Sequence, residues 1–493
     1  MRALLVGSLA LFAACAPDAA QTRGERPLEV VVSTEAATLD PRFSTRSLDV
    51  KITRLVHAGL AGLDPTTLEP VPLLAKSFRM RDDRTLEVTL REGLSFHGGK
   101  ALTAGDVCAT LDAVRDPALG SPHRVVVAAI ARCREEGPLR AILELGAPRA
   151  TLLTDLEIPI LRADEARSPP RPDGGLDGLG PFVISTVKAG EVTLVPAETG
   201  VLPRPHHVVV VRTVRDENAR VQRLLAGRSD VAPNALSPAL LPSVEQGRGV
   251  RIVSRPGANV TYLLFQNDRA PFDQVRVRHG VAYAIDRELI VRTLLGGRAQ
   301  VATTLLPPGH WARGNVEPEP FSVEQARPRL AGLRAVTLLT STDRSRVTLA
   351  RAVAQMLGDA GLETRVVPLD LGAMLARLDA GDFDLAILQL PELTEPNVLS
   401  WFFHPRGIPG EGHEGKNRAR YRSEIAGVLL DRASAISDRG TRKELYGRLA
   451  VQMARDLPAV PLWHEDQIAV ISGRARGFLP SAEGRWLSLA GLE

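Results

Sequence analysis

The segment PLLAKSFRMRDDRTLEVTLREGLSFHGGKALTAGDV, residues 72–107, carries the densest local signals in the chain. Its first part reads as a strand running into the polar turn Arg81-Asp82-Asp83-Arg84, followed by an alternating strand from Thr85 to Leu90. Gly93 marks a tight turn, Phe96-His97-Gly98-Gly99 follows it, and Thr103 opens a helix.

Upstream, LEVVVS (Leu28 to Ser33) is a buried strand, Thr38-Leu39-Asp40-Pro41 a loop, and Leu48 to Leu60 a helix. Downstream of a strand at Leu139 to Leu145, the stretch Asp164 to Gly178 has proline, glycine and charge without apolar periodicity, so it is a linker. It leads into Gly178-Leu179-Gly180-Pro181-Phe182, which lacks the strand and helix context of a dinucleotide site. Strands at Glu191 to Pro196 and His207 to Val211, and a helix from Asp216 to Ala226, follow. NVTYLLFQN (Asn259 to Asn267) is a further strand. Pro271 and Asp273 suit the start of a helix whose apolar stripe is Val277, Val281, Ala284 and Ile285. Between Ala335 and Leu388 strands and glycine-closed helices alternate, which predicts a mostly parallel sheet covered on both faces. Helices at Ser423 to Ser437 and Arg442 to Arg455 precede Leu457-Pro458-Ala459-Val460-Pro461-Leu462.

With 493 residues, 44% apolar and 24% charged, the chain fits two or three globular domains. A net charge of +4 and no basic tract with interleaved aromatics argue against nucleic acid as a partner. Six lysines among 61 basic residues make it arginine-rich. Arg2 followed by apolar Ala3 to Ala14 reads as an export signal, too short for the ~20 residues of a membrane span. Phe12-Ala13-Ala14-Cys15 resembles a lipobox, so residues 1–14 are expected as signal peptide, Cys15 as the lipidated residue and 15–27 as a flexible tether. The alternative is an unlipidated signal cut between Ala14 and Ala20. Cys108 and Cys133 then remain for an oxidising compartment, as a disulfide or as two buried thiols, and their spacing does not suit zinc.

Residues 72–107 resemble the signature of family 5 extracytoplasmic solute-binding proteins, the receptors of peptide and nickel ABC transporters. Pro72, Leu74, Ala75, Ser77, Asp83, Thr85, Leu90, Arg91, Gly93, Phe96, His97, Gly99, Thr103, Ala104, Asp106 and Val107 fill it. A second match is Pro271-Phe272-Asp273-Gln274-Val275-Arg276-Val277-Arg278 with Ala282-Tyr283-Ala284-Ile285-Asp286-Arg287. Weaker ones include Leu39-Asp40-Pro41, Gly178 to Phe182, Gly381 to Ala386 and Pro458 to Leu462. The resemblance implies an α/β, two-lobe periplasmic-binding-protein-like fold of class II, cluster C type, with an extra subdomain on the first lobe. Lobe 1 is expected from residues 28–62, 165–266 and 461–493, the subdomain from 63–164 and lobe 2 from 267–460. Strands crossing between the lobes would form the hinge.

By the same resemblance the protein is no enzyme and needs no cofactor or metal. It is an importer's substrate-binding component that captures a small solute, expected to be a peptide, between hinged lobes. Its partners are ABC permease subunits and a lipid anchor, it is a monomer, and it works outside the bacterial cytoplasm. The alternatives are a receptor of this fold for a non-peptide solute and a tethered sensor or chaperone-like lipoprotein. In peptide receptors of this family a carboxylate holds the ligand's ammonium. Here Glu392 falls on that position, Glu395-Pro396 on the following acid–proline pair, and Gln389 replaces a tryptophan; a solvated loop acid is the plainer reading of Glu392. Trp401, Phe402 and Phe403 either line the cleft or pack a helix on the sheet. Thr38, Ser44 and Thr45 of the N-terminal loop, and Tyr262 and Asn267 of the hinge-proximal strand, are further candidates. His97 sits in the scaffold phrase and is expected to be structural. His206, His207, His404 and His413 read as loop histidines.

Overall fold

The computed structural model describes residues 26–198, 200–202, 204–410 and 415–493. The proposed signal, Cys15, most of the tether and His413 lie outside the described residues.

Lobe 1 is built on a seven-stranded sheet in the order Val250–Arg255, Gln467–Ser472, Val231–Pro233, Leu28–Val32, Val209–Thr213, Glu191–Pro196, Phe182–Lys188. Leu28–Val32 is central and parallel to both neighbours, and all five residues are buried. An apolar run without alternation is what a strand covered on both faces requires. Under the sheet, Asp230 is fully buried and held by Arg26, Arg474 and the Ser472 hydroxyl.

Residues 75–145 form a separate four-stranded antiparallel sheet, ordered Ala75–Asp82, Thr85–Leu90, Arg140–Leu145, Ile130–Glu135. The helix Ala104–Arg115 packs on it and begins in a capping box. The Asp106 carboxylate accepts the Thr103 amide at 2.9 Å and its hydroxyl at 2.8 Å. A disulfide joins Cys108 of this helix to Cys133 of the edge strand, with Cα atoms 5.1 Å apart. Phe96 is fully buried in this core, and His97 Nε2 lies 2.8 Å from the Gly180 carbonyl. The glycines at 178 and 180 answer to packing: a Cβ there would sit 2.1 Å from the Val56 carbonyl oxygen and 2.5 Å from that of Leu55.

Lobe 2 has a six-stranded sheet ordered Ala299–Val301, Ala459–Glu465, Val260–Phe265, Leu385–Leu390, Val336–Ser341, Thr364–Leu369. Its two cores are fed by strand alternation. Leu263 and Phe265 face one, Val260, Tyr262 and Leu264 the other. The expected parallel pairing holds within the alternating block, where Val336–Ser341 runs parallel to both Thr364–Leu369 and Leu385–Leu390, but the sheet as a whole is mixed. The two strands that adjoin the hinge, Val260–Phe265 and Ala459–Glu465, pair antiparallel, since one enters the lobe there and the other leaves it. Pro271 does not begin a helix: it lies in a cis-peptide turn, and the helix runs Val275–Ala284.

Sheet membership also moves the lobe boundaries from 266/267 and 460/461. Val260–Phe265 and Ala459–Glu465 are inner strands of lobe 2, so the chain changes lobes at residues 256–259 and again at Asp466. The two crossings are stitched together. The Asn259 side chain donates to the Glu465 carbonyl at 2.7 Å and accepts the Glu465 amide at 2.9 Å. Gly257 permits this approach, since a Cβ there would lie 2.2 Å from the Glu465 carbonyl oxygen. The lobes also meet through the ion pairs Arg298–Glu245 and Arg439–Glu69, both near the crossings, and through the Arg442 guanidinium on the Ala150 carbonyl at 3.3 Å, which makes this a closed arrangement.

Candidate functional site

The lobe 1 helix Ser47–Val56 faces the lobe 2 loop from Pro391 to Asn397 across the cleft. Two chambers lie between them. The one nearer the hinge has a volume of about 430 Å³ and is walled by Ser47, Lys51, Asn234, Gln389, Glu392 and Trp486, among others. The outer one, of about 300 Å³, is walled by Ser44, Arg54, His123, Glu157, Glu392 and Trp401, among others. Glu392 is common to both walls and so stands at the partition.

Its backbone is unusual. Glu392 has φ +53°, the left-handed region that L-residues other than Asn and Asp seldom enter. Two bonds hold it there: the Thr394 amide donates to the Glu392 carbonyl at 2.9 Å, and the Leu393 amide to the Ala258 carbonyl at 2.6 Å. Ala258 belongs to the first crossing segment, so the loop is tied to the hinge. Constraint of this kind persists where surrounding contacts over-determine the backbone.

Most other charges in the cleft are already partnered. Glu465 is clasped by Arg346, with Nη2 3.1 Å from Oε2, and accepts the Thr261 hydroxyl at 2.9 Å. Burial raises the Glu465 carboxyl, but Arg346, Thr261 and Trp463 together outweigh it and the net shift is downward. Arg485 makes a two-pronged contact with Glu157 at 2.6 and 3.0 Å. Asp155 is held by Arg149, and Glu395 by Arg442. Desolvation pushes the Glu395 carboxyl up although Arg442 pulls it back. The Glu392 carboxylate has neither an ion pair within 4 Å nor a hydrogen bond among the described residues.

Of the sequence candidates, Gln389 and Glu392 reach the hinge-side chamber and Trp401 the outer one. Gln389 Nε2 is 3.4 Å from the Thr261 hydroxyl, and half-exposed Trp401 lies under the Lys416 ammonium at 5.2 Å. Ser44 lines the outer chamber, but its hydroxyl is spent on the Thr38 and Asp40 carbonyls. The others lie elsewhere. Tyr262 and Phe403 are buried in the lobe 2 core, because every side chain of a doubly covered strand or an inward helix face is consumed by packing. The Asn267 amide ties the Ala419 and Pro458 carbonyls together instead of facing solute. Thr38 bonds its own loop, and Thr45 is exposed and lines neither chamber. His404 accepts the Arg406 amide through Nδ1. Among the described residues no three His, Cys, Asp or Glu side chains converge as a metal would need.

Sequence reasoning missed Lys51, Arg54, Asn259, Arg346, Glu465 and Trp486 in these walls. Rarity was the available signal for Lys51, one of six lysines.

The family model for bacterial extracellular solute-binding proteins, family 5 middle, matches residues 69–409. The glutathione-binding protein GsiB of Escherichia coli is 27% identical over 489 residues, covering 95% of this chain and 94% of the relative. Among solved structures, NikZ from Campylobacter jejuni in complex with Ni(L-His) superposes with a TM-score of 0.79 at 21% identity, covering 94% of this chain and 98% of that one. The oligopeptide-binding protein AppA from Bacillus subtilis, in complex with a nonapeptide, gives 0.76 at 21% identity with 94% and 99% coverage. A two-lobed cleft together with a matching family model over more than half of the chain has one reading: this chain belongs to family 5 of the bacterial extracellular solute-binding proteins.

Proposed function

We propose that the cleft captures a short peptide by its free ammonium, with Glu392 as the anchor, and that the closed form presents it to an ABC permease. As a family 5 member the chain is the substrate-binding component of an importer and acts outside the cytoplasm. The observation that carries the peptide reading is a carboxylate without a partner, held in a constrained backbone where the two chambers meet. Burying a lone charge is costly unless a counter-charge arrives with the ligand. The relatives named for glutathione and oligopeptides support a solute of this kind. The lipobox-like Phe12 to Cys15 supports anchoring through Cys15, and the chain is read as a monomer. Among the described residues no helix is long and apolar enough to cross a membrane.

The test is thermal unfolding with glutathione and with a mixed di- to pentapeptide library. A ligand that binds the native state alone raises the midpoint. Glu392→Gln should lower affinity by about 10- to 100-fold, since a hydrogen bond to a charged group is worth ~1.5–3 kcal/mol. No shift with any of these solutes, or equal shifts in the variant, would remove the peptide reading.

A further inference from the structure

Glu392 has a counterpart on the opposite lobe. Of the basic side chains that line the two chambers, Arg298 is paired with Glu245, Arg346 with Glu465, and Arg149 with Asp155. Arg54 has Glu157 at 3.7 Å, and His123 is bonded to the Ser44 carbonyl at 3.0 Å. Lys51 has no carboxylate within 4 Å and no hydrogen bond among the described residues. Its ammonium lies 5.8 Å from the centre of the Trp486 ring, whose face steadies a cation without neutralising it. Burial pushes the Lys51 ammonium downward, and the carboxylates of Glu392 and then Glu483 push it back. Glu483 is engaged with Arg485 at 3.1 Å, which leaves Glu392 as the unpaired acid that Lys51 feels. The cleft therefore holds one unpartnered cation on lobe 1 and one unpartnered anion on lobe 2, with a cavity of about 430 Å³ beside both.

We propose that Lys51 receives the carboxylate of the same solute whose ammonium Glu392 holds, so that the receptor selects short solutes with both charges free. This rests on the peptide reading above and adds a second specificity-determining residue to it. The volume lies within the range that small-molecule sites occupy, roughly 300–1,000 Å³. A solute bearing both charges would bridge the lobes, each end satisfying a group that is otherwise uncompensated. A solute lacking either charge would leave one of them buried and alone, and that penalty is the source of selectivity.

The experiment uses one randomised tripeptide library in three forms: free, C-terminally amidated and N-acetylated. Retention by the full chain is read by equilibrium dialysis and mass spectrometry. The wild type should retain the free form and discriminate against both blocked forms. Lys51→Gln should weaken the free form by about 10- to 100-fold, the range for a lost charge-assisted bond, and leave the amidated form unchanged. Lys51→Arg should restore part of the loss, and an unaltered melting midpoint of Lys51→Gln without solute shows that the fold is intact. Equal weakening of free and amidated forms, or none of either, overturns the assignment of Lys51. If Glu392→Gln changes nothing while Lys51→Gln discriminates as stated, the ammonium reading fails and the carboxylate reading stands. A wild type that retains no form overturns both.

Discussion

Residues 72–107 and residues 389–396 treat their polar groups in opposite ways. In the first segment the central polar side chains are satisfied by other groups of the first lobe and its subdomain. Asp106 accepts three donors, from the Thr103 amide, the Thr103 hydroxyl and the Ala163 amide. His97 meets Gly180, and Arg91 donates to the Leu73 carbonyl at 2.7 Å. The second segment keeps Glu395 satisfied through Arg442, but three residues earlier Glu392 is left without a partner in a left-handed backbone. A closed hydrogen-bond ledger marks architecture; an open one in a cleft marks what the architecture is for.

The contrast can be broken at several points. The largest effect should come from Phe96→Ala, which empties a fully buried aromatic site and should cost roughly 3–5 kcal/mol. Denaturant titration reads that loss, while solute affinity of the remaining native protein should not move. Replacing both Cys108 and Cys133 by serine reopens a loop of 25 residues' separation and should cost about 3 kcal/mol, again with affinity unchanged. If either change weakened binding, the first segment would not be scaffold alone. The smallest and most pointed effect concerns Glu392→Gly. Relief of the left-handed backbone gains about 1–2 kcal/mol and glycine's extra chain entropy takes back roughly 0.5–1, so a net gain near 0.5 kcal/mol is expected. That variant should melt slightly higher and bind worse; a lower melting midpoint would show that the loop carries no strain.

Local signals made much of the fold legible. Glu191–Pro196 falls at the residues its patterning indicates, and the stripe Val277, Val281, Ala284, Ile285 is buried as its spacing requires. Strand direction outside the alternating block was less legible, because alternation of strands and helices does not reveal that one strand enters lobe 2 at the hinge and another leaves by it. The chamber walls were legible at Gln389, Glu392 and Trp401, where short motifs and rare aromatics stand out. The structural roles of Tyr262 and Asn267 were not legible, since a strand covered on both faces carries the same residue types as a strand that borders solute. Nor could sequence bring Arg346 to Glu465, 119 residues away, or Lys51 to Trp486 near the far end of the chain. Such pairs are made by the fold and leave no local trace. Glutamate at a left-handed position is equally silent, because that conformation is usually announced by glycine or asparagine.

The bond from the Leu393 amide to the Ala258 carbonyl has a mechanical consequence. It attaches the loop of Glu392 beside the axis on which the lobes turn, where Leu68, next to Glu69 of the interlobe pair with Arg439, also packs on Ala258. A pull on Glu392 thus works through a short lever arm, and the parts of each lobe that lie far from the axis travel further than the charge that moves them. Gearing of this kind lets a solute of a few atoms' reach be read from outside as a change in the shape of the whole receptor.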